Sequence, residues 1–141
     1  LHATTDSSRL LPADPIGQHR SRQLSYAIAM EIHPVCNLGA AAHVAGLTRG
    51  GDETKKAWMQ HFIAKGLEDF EALLAQGGSN TFCIGDAPTM PDCCLVPQLY
   101  NADRWGVDYS GHPRLSRIAA AARDLPEFEA AHPDRIGPPK E

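Results

Sequence analysis

The fold of this 141-residue chain depends most on residues 89–105, which read TMPDCCLVPQLYNADRW. The stretch opens with Thr89 and then, three residues later, Asp92. This pairing is typical of a capping box, in which two side chains satisfy free backbone N–H groups at the start of a helix. Asp has a shorter reach than the Glu or Gln that usually completes the box. We therefore predict a helix that begins at Thr89, with Thr89 and Asp92 in a structural role.

The rest of this helix is apolar on nearly every side, and Gly106 is expected to end it. Its apolar residues are Cys93, Cys94, Leu95, Val96, Leu99 and Tyr100. A helix that is apolar all round has to be covered by other elements on several sides. We therefore predict that the helix from Thr89 to Trp105 lies at the centre of a helical bundle, with Val96 covered.

A long helix with a kink is predicted upstream. Asp14 can accept from free N–H groups of the first turn, and Pro15 fits the first helical position. The helix should run to about Val44, with Pro34 producing a kink near His33 because proline lacks an N–H and its ring clashes with the preceding turn. The apolar residues that keep one face at helical spacing are Ile16, Leu24, Ala27, Ile28, Ile32, Val35 and Leu38.

The remaining elements are also helical, apart from a short extended piece at residues 81–84. A helix is predicted for residues 53–75, with Met59, Ile63, Leu67, Phe70 and Leu74 on one face. A further helix starts at Pro113, and a short helical turn runs through Phe128. We therefore predict an all-α bundle of about five helices over residues 14–132, preceded by a linker at residues 1–13 and followed by an irregular tail at residues 133–141.

Composition excludes several classes of protein. The net charge of −4 argues against nucleic-acid binding. No apolar run reaches the roughly 20 residues of a membrane span. The first residues lack the basic and apolar regions of a signal peptide, and we interpret the start as a cut or processed end within a longer protein.

The cysteines and histidines indicate neither disulfides nor a metal site. The four cysteines are expected to be reduced and mostly buried, in keeping with a cytoplasmic protein. The histidines form no His-x-x-x-His pair and the cysteines no Cys-x-x-Cys pair. We therefore expect no metal.

Three stretches resemble a known family. Residues 85–92 (GDAPTMPD) resemble the capping-box segment of glutathione S-transferase C-terminal domains. Residues 32–38 (IHPVCNL) resemble the Ile-(His or Gln)-Pro-x-x-Asn-Leu signature of the zeta class. Residues 94–105 (CLVPQLYNADRW) resemble that class's Leu-Val-Pro-Gln-x-Tyr-Asn-Ala-x-Arg-Phe segment. The resemblance extends from about Leu10 to Pro133.

The resemblance implies a cytoplasmic homodimer of two-domain chains that uses glutathione. Its thioredoxin-like N-terminal domain, which is not in this sequence, would hold the catalytic residue, so this chain alone is expected to be inactive. The reaction would be the isomerisation of maleylacetoacetate to fumarylacetoacetate in tyrosine and phenylalanine breakdown. Glutathione adds to the double bond, the bond rotates, and glutathione leaves.

Four candidate glutathione contacts lie around Pro34. His33 and Asn37 are four residues apart, which places them on one face of a continuous helix. Their polar side chains could bind a ligand or satisfy the backbone beside the kink. The resemblance implies that both contact glutathione, and that Leu38 and Gly39 do so through their backbones. Gly39 stands where the family often has Arg or Ser. The absence of Arg there favours maleylacetoacetate over maleylpyruvate as substrate.

Arg104 is the candidate substrate-binding residue. Its guanidinium can bind a carboxylate through two parallel hydrogen bonds. A positive charge near a helix C-terminus is also ordinary, since it interacts favourably with the macrodipole. The resemblance implies that Arg104 lines the pocket for the acceptor substrate.

Two other functions stay open. One is a maleylpyruvate isomerase or a general glutathione transferase of the same fold. The other is a non-catalytic interaction module, since domains of this kind also occur in protein complexes that need no glutathione. A thioredoxin-like domain upstream would favour an enzyme.

Overall fold

The all-α class predicted from the sequence is confirmed. The computed structural model describes residues 10–137, and this range contains seven α-helices, one π-helix and no β-strand. The elements are α1 (Pro15–Tyr26), the π-helix (Ala27–Ile32), α2 (Leu38–Thr48), α3 (Gly51–Ala75), α4 (Met90–Trp105), α5 (Pro113–Arg123), α6 (Pro126–Ala130) and α7 (Pro133–Ile136).

Helix α4 lies at the centre of the bundle, as predicted. It packs against α1, the π-helix, α3 and α5. Leu95, Leu99 and Ala102 on its inner face are buried. Val96 is half-buried rather than covered, because one side of α4 borders the groove described below.

Helix α3 is the longest helix described, and α1, the π-helix, α2, α4 and α5 pack against it. Its predicted inner face is buried in full, at Met59, Ile63, Leu67, Phe70 and Leu74. The Arg20 guanidinium of α1 donates to the Leu73 carbonyl near the end of α3. Gln60, early in α3, donates to the carbonyl of Trp105 at the end of α4 (2.8 Å).

The prediction of one kinked helix up to about Val44 is wrong. The α-helix ends at Tyr26 and continues as the π-helix, and a new helix starts at Leu38. Pro34 cannot donate a backbone hydrogen bond, so the helical ladder stops near it. The expected apolar face also fails at both ends, since Ile16 in the first turn of α1 is 82% exposed and Leu38, beyond the break, is 58% exposed.

Two smaller predictions also need correction. Residues 81–84 form bends and a tight turn rather than an extended piece, with the Phe82 N–H donating to the Gly85 carbonyl (3.0 Å). Residues 133–136 form α7 within the segment predicted to be an irregular tail. Most of the predicted linker, at residues 1–9, and the end of the tail, at residues 138–141, lie outside the described residues.

All four cysteines are free thiols. Cys36 and Cys83 are buried and Cys94 is half-buried, but Cys93 is exposed, so the expectation of mostly buried thiols holds for only part of the set. Between residues 10 and 137, no helix combines the length and apolar character needed to cross a membrane.

Candidate functional site

The candidate residues around Pro34 lie at a break between two helices. In the π-helix the hydrogen bonds reach back five residues, as when the His33 N–H donates to the Ile28 carbonyl (3.1 Å). A turn follows at residues 33–36, and Asn37 then adopts an extended backbone conformation. The Asn37 side chain accepts from the Gly39 N–H (2.8 Å) and caps α2. Short π-helical segments are frequent at functional sites.

The prediction that His33 and Asn37 share one face of a continuous helix is therefore wrong. The extended conformation of Asn37 ends the helical periodicity on which that prediction depended. Both side chains are nevertheless exposed, as are Leu38 and Gly39. The four candidate residues thus form one accessible segment at the start of α2, which we call the helix-break segment (residues 33–39).

The helix-break segment is held in place from α3. The Trp58 indole N–H donates to the Val35 carbonyl (2.7 Å), and Cys36 is buried. Gly66 of α3 lets the π-helix approach closely, since a Cβ at residue 66 would lie 2.5 Å from Ile32 Cγ1. The hydrogen bond from Trp58, the burial of Cys36 and the close approach at Gly66 therefore keep the exposed polar residues in a defined position.

The start of α2 has the electrostatic character that an anion prefers. The first N–H groups of a helix have no partner within the helix, and the positive end of the macrodipole lies there. Asn37 satisfies one of these groups through Gly39. Leu38 therefore presents its backbone N–H at a position that suits a carboxylate, whereas the Gly39 N–H is already bonded to Asn37.

Arg104 lies in the last turn of α4 and is exposed. Helix α4 ends just beyond it, at Gly106, whose positive φ of 69° suits a glycine. Arg104 is one helical turn after Tyr100, so the two side chains share a face of α4. Arg104 does not contribute to the wall of the groove that Tyr100 lines.

The structure brings Arg104 and the helix-break segment to the same end of the bundle. Val35, inside the segment, bonds to Trp58, while Trp105, next to Arg104, bonds to Gln60. Trp58 and Gln60 are two residues apart on α3, so they lie at the same level of that helix but point to different sides of it. Two groups of candidates that lie far apart in the sequence are thus fixed to one short stretch of a third helix.

A large apolar groove runs along α4, and sequence reasoning missed it. Its volume is about 720 Å³. Residues of α4 form one wall, the segment from Leu125 to Pro133 forms another, and Leu10 also borders it. The α4 residues on the wall are Cys93, Val96, Pro97 and Tyr100.

One signal in the sequence could have indicated the groove. Cys93, Pro97, Tyr100 and Arg104 recur at spacings of four, three and four, so they follow one stripe of the helix. Each is exposed or half-buried. Because α4 is apolar on nearly every side, the sequence predicted that other helices would cover it all round, and the side that borders the groove was not recognised.

The capping box at the start of α4 is formed. The Thr89 N–H and the Thr89 hydroxyl both donate to Asp92 Oδ2, each at 2.8 Å. The Cys83 N–H donates to Asp92 Oδ1, also at 2.8 Å. Asp92 is fully buried and engaged on both oxygens, so Thr89 and Asp92 stabilise the fold. The part of the chain that the structure describes holds no group of three His, Cys, Asp or Glu residues placed to bind a metal.

The chain is similar to proteins of one family. Residues 53–133 match the family model for the glutathione S-transferase C-terminal domain. The maleylacetoacetate isomerase of Rhizobium meliloti is 49% identical over 138 residues, which are 98% of this chain and 65% of that protein. This chain therefore spans just under two thirds of that relative's length.

Solved structures of two enzymes show the same fold. The maleylacetoacetate isomerase of Anaeromyxobacter dehalogenans, with glutathione bound in its active site, aligns with a TM-score of 0.86 at 36% identity, over 95% of this chain and 60% of that one. The same enzyme is also known with dicarboxyethyl glutathione and citrate bound. A bacterial zeta-class maleylpyruvate isomerase aligns with a TM-score of 0.89 at 32% identity, over 96% of this chain and 64% of that one. The chain therefore belongs to the glutathione S-transferase C-terminal domain family, and the proteins it resembles include maleylacetoacetate isomerases and a zeta-class member.

Proposed function

We propose that this chain is the C-terminal domain of a glutathione-dependent cis–trans isomerase of the zeta class, which converts maleylacetoacetate to fumarylacetoacetate in aromatic amino-acid breakdown. The observation that supports the proposal is that the helix-break segment and the end of α4 that carries Arg104 are both bonded to the same short stretch of α3. The helix-break segment would supply groups suited to glutathione, and Arg104 would supply a cation suited to a dicarboxylate. The relatives named maleylacetoacetate isomerase support this choice of reaction.

Glutathione would contact the helix-break segment. His33 and Asn37 offer exposed polar side chains, and Leu38 offers a backbone N–H at the start of α2. Gly39, whose N–H is bonded to Asn37, would contribute an exposed backbone that no side chain covers. Glutathione carries two carboxylates, for which a helix N-terminus is a favourable environment. Its thiol supplies the nucleophile, and the residue that activates the thiol would lie in the thioredoxin-like domain. This chain would therefore contribute binding and orientation.

Arg104 would bind a carboxylate of the acceptor substrate. A carboxylate that leaves water for an unpaired site loses a large hydration energy, so a dicarboxylate needs cations in its pocket. Arg104 is the basic residue in the last turn of α4, a helix whose inner face is packed in the core. A guanidinium there would also select for the planar carboxylate group through two parallel hydrogen bonds.

The thioredoxin-like domain would be the first partner of this chain. We infer that it packs along the apolar groove, which offers uncovered apolar side chains of α4 such as Val96 and Pro97. Leu10, the first residue that the structure describes, lies at the edge of this groove.

The second partner would be another copy of the chain, in a cytoplasmic homodimer. Ile16, Tyr26 and Met30 lie along the outer side of the first helical stretch and are 82%, 55% and 63% exposed. Burying these side chains against the same stripe of a second copy would remove apolar surface from water. The four free thiols are typical of a reducing compartment.

A maleylpyruvate isomerase is the second candidate, because a zeta-class enzyme of that activity shares the fold. An assay of the two-domain protein separates the candidates. Maleylacetoacetate and maleylpyruvate are tested in parallel, with and without glutathione. We expect isomerisation that requires glutathione and has the higher kcat/KM with maleylacetoacetate. A higher kcat/KM with maleylpyruvate would favour the second candidate, and no isomerisation of either would contradict both.

The role of Arg104 is tested with Arg104→Lys in the same protein. Lysine keeps the charge but loses the bidentate geometry, so kcat/KM with the dicarboxylate should fall about tenfold. Turnover of a neutral halogenated acetamide should change much less. Arg22→Lys, an exposed change on α1, is the matched control. Equal losses on both substrates would assign Arg104 a structural role.

The role of the helix-break segment is tested with His33→Ala. Calorimetry should show weaker glutathione binding with little change in thermal stability, because His33 is exposed. His43→Ala is the matched control, since His43 is an exposed histidine further along α2. Unchanged glutathione affinity in His33→Ala would remove this residue from the site.

A further inference from the structure

The C-terminal end of the described chain forms a strap over the groove. The strap comprises residues 126–137 and contains α6 and α7. None of the residues in 126–130 or 133–136 is buried. Phe128 is half-buried and borders the groove, together with Ala131 and His132. The strap therefore forms a wall of the apolar groove while it buries little surface of its own.

Contacts within the strap make it one unit. An ion pair joins Arg135 of α7 to Glu129 of α6. Between the two helices, the His132 N–H donates to the Glu129 carbonyl (3.2 Å), and His132 Nδ1 accepts from the Asp134 N–H (3.3 Å). The chain enters the strap at Leu125, where the backbone is extended. Leu125 is thus the position about which α6 and α7 could swing together.

Tyr100 holds α7 against the bundle. Its hydroxyl donates to Asp134 Oδ1 (2.8 Å). Its ring meets the imidazole of His132 edge to face, with the centroids 5.1 Å apart. Among residues 10–137, this is the one side-chain hydrogen bond between α7 and helices α1 to α5.

We propose that Tyr100, His132 and Asp134 form a latch that closes the strap over the groove. The strap opens at Leu125 when the latch is released, while helices α1 to α5 stay folded. The physical basis is the imbalance between a strap without buried residues and a core whose helices are fully packed. Elements with few buried contacts have the lowest free energy of local opening. The latch concerns the shape of the groove and does not depend on the proposed activity.

The latch can be tested by NMR relaxation of the 141-residue chain. Tyr100→Phe removes the hydroxyl and keeps the ring, whereas Asp134→Ala removes the acceptor on the exposed strap. In the unmodified chain, the backbone order parameters of residues 133–136 should be about 0.8. Either variant should lower them below about 0.6, and those of α4 and α5 should not change. The double variant should lower them no further than either single change, because both remove the same bond.

Tyr109→Phe is the matched control. The Tyr109 hydroxyl also faces an aspartate of α4, since it lies 3.5 Å from Asp103 Oδ2, but its hydrogen bond does not go to the strap. Its order parameters at residues 133–136 should equal those of the unmodified chain. Rigid residues 133–136 in both Tyr100→Phe and Asp134→Ala would overturn the latch. So would an equal effect of Tyr109→Phe, additive effects in the double variant, or simultaneous loosening of α4.

Discussion

Helices α4 and α5 both begin at a buried or half-buried carboxylate, but the carboxylates come from different places. At α4, Asp92 accepts from the N–H and the hydroxyl of Thr89 and from the N–H of Cys83, each at 2.8 Å. The partners lie three and nine residues away. This cap is therefore local to one turn and the loop before it.

At α5 the cap comes from another helix. His112, which precedes the helix, makes no side-chain cap. Glu71 of α3 instead accepts from the N–H of Arg114 (3.2 Å), the guanidinium of Arg114 (3.1 Å) and the N–H of Leu115 (3.0 Å). The residues involved are 43 and 44 positions apart.

Each cap has three hydrogen bonds, but the two caps differ in how much of the fold must be in place before they can form. The α4 cap can form as soon as its own first turn forms. The α5 cap can form only after α3 and α5 have packed together. Burial differs as well, because Asp92 is fully buried whereas the Glu71 side chain is 12% exposed. Loss of the local cap should therefore cost more stability, and loss of the distant cap should be confined to α5.

Asp92→Ala should have the largest effect. It leaves three donors without a partner in a buried place, each of which costs about 1–3 kcal/mol. We expect the free energy of unfolding to fall by about 3 kcal/mol or more, as measured by urea denaturation. Asp86→Ala is the control, because Asp86 is an exposed aspartate in the same segment that accepts from Thr81. An equal loss in both variants would refute the special role of the α4 cap.

Glu71→Ala should have the next largest effect. It removes the acceptor for two backbone N–H groups and the partner of Arg114, which should lower stability by about 2 kcal/mol. In NMR spectra the amide shifts of Arg114 and Leu115 should change while those of α4 remain. The control is Glu68→Ala, an exposed change on the same helix. Changes that spread equally to α4 would contradict a cap confined to α5.

Thr89→Ala should have a smaller effect than either. It removes the hydroxyl that donates to Asp92 but retains the backbone N–H at residue 89. The expected loss is about 1 kcal/mol, with unchanged substrate affinity in the two-domain protein. Thr81→Ala, which removes an exposed hydroxyl bonded to Asp86, is the matched change. Unaltered thermal stability of Thr89→Ala would mean that the hydroxyl adds nothing to the cap.

The smallest effect is expected when Glu71→Ala is tested for the rate at which a maleimide labels the Cys83 thiol. Burial, reinforced by the Asp92 carboxylate, raises the pKa of the Cys83 thiol, and burial raises that of Cys36 to about 11. At pH 8 a maleimide should therefore label exposed Cys93 first. Labelling of Cys83 should accelerate in Asp92→Ala but stay within about twofold in Glu71→Ala, since distant sites behave independently. Similar acceleration in both would show that the two caps are coupled.

The predictions of secondary structure divide in the same way, because those that depended on local contacts agree with the structure better than those that did not. The predicted start of α4 at Thr89 and the buried face of α3 agree with the structure, because each depends on spacings within a few turns. The continuous first helix does not agree. Its apolar spacing continued across Pro34, but the ladder stopped there and Asn37 started a new helix. A pattern of apolar residues does not reveal which backbone bonds a proline removes.

The candidate site divides in a similar way. His33, Asn37, Leu38, Gly39 and Arg104 were selected by a resemblance in two short segments, and their roles are still predictions. The sequence could not show that both segments are attached to the same short stretch of α3, since each attachment depends on a hydrogen bond between helices. The groove was equally hidden, because it requires α4 and the strap to lie side by side.

The sequence by itself determined the all-α class, the central helix from Thr89 to Trp105 and the capping box that starts it. These features follow from residues within one or two turns of each other, whose separation in space is nearly set by their separation in the chain. The tertiary structure alone decided the Glu71 cap of α5, the groove and the Tyr100–Asp134 contact. Each joins residues of different helices, and its geometry exists only once those helices have packed.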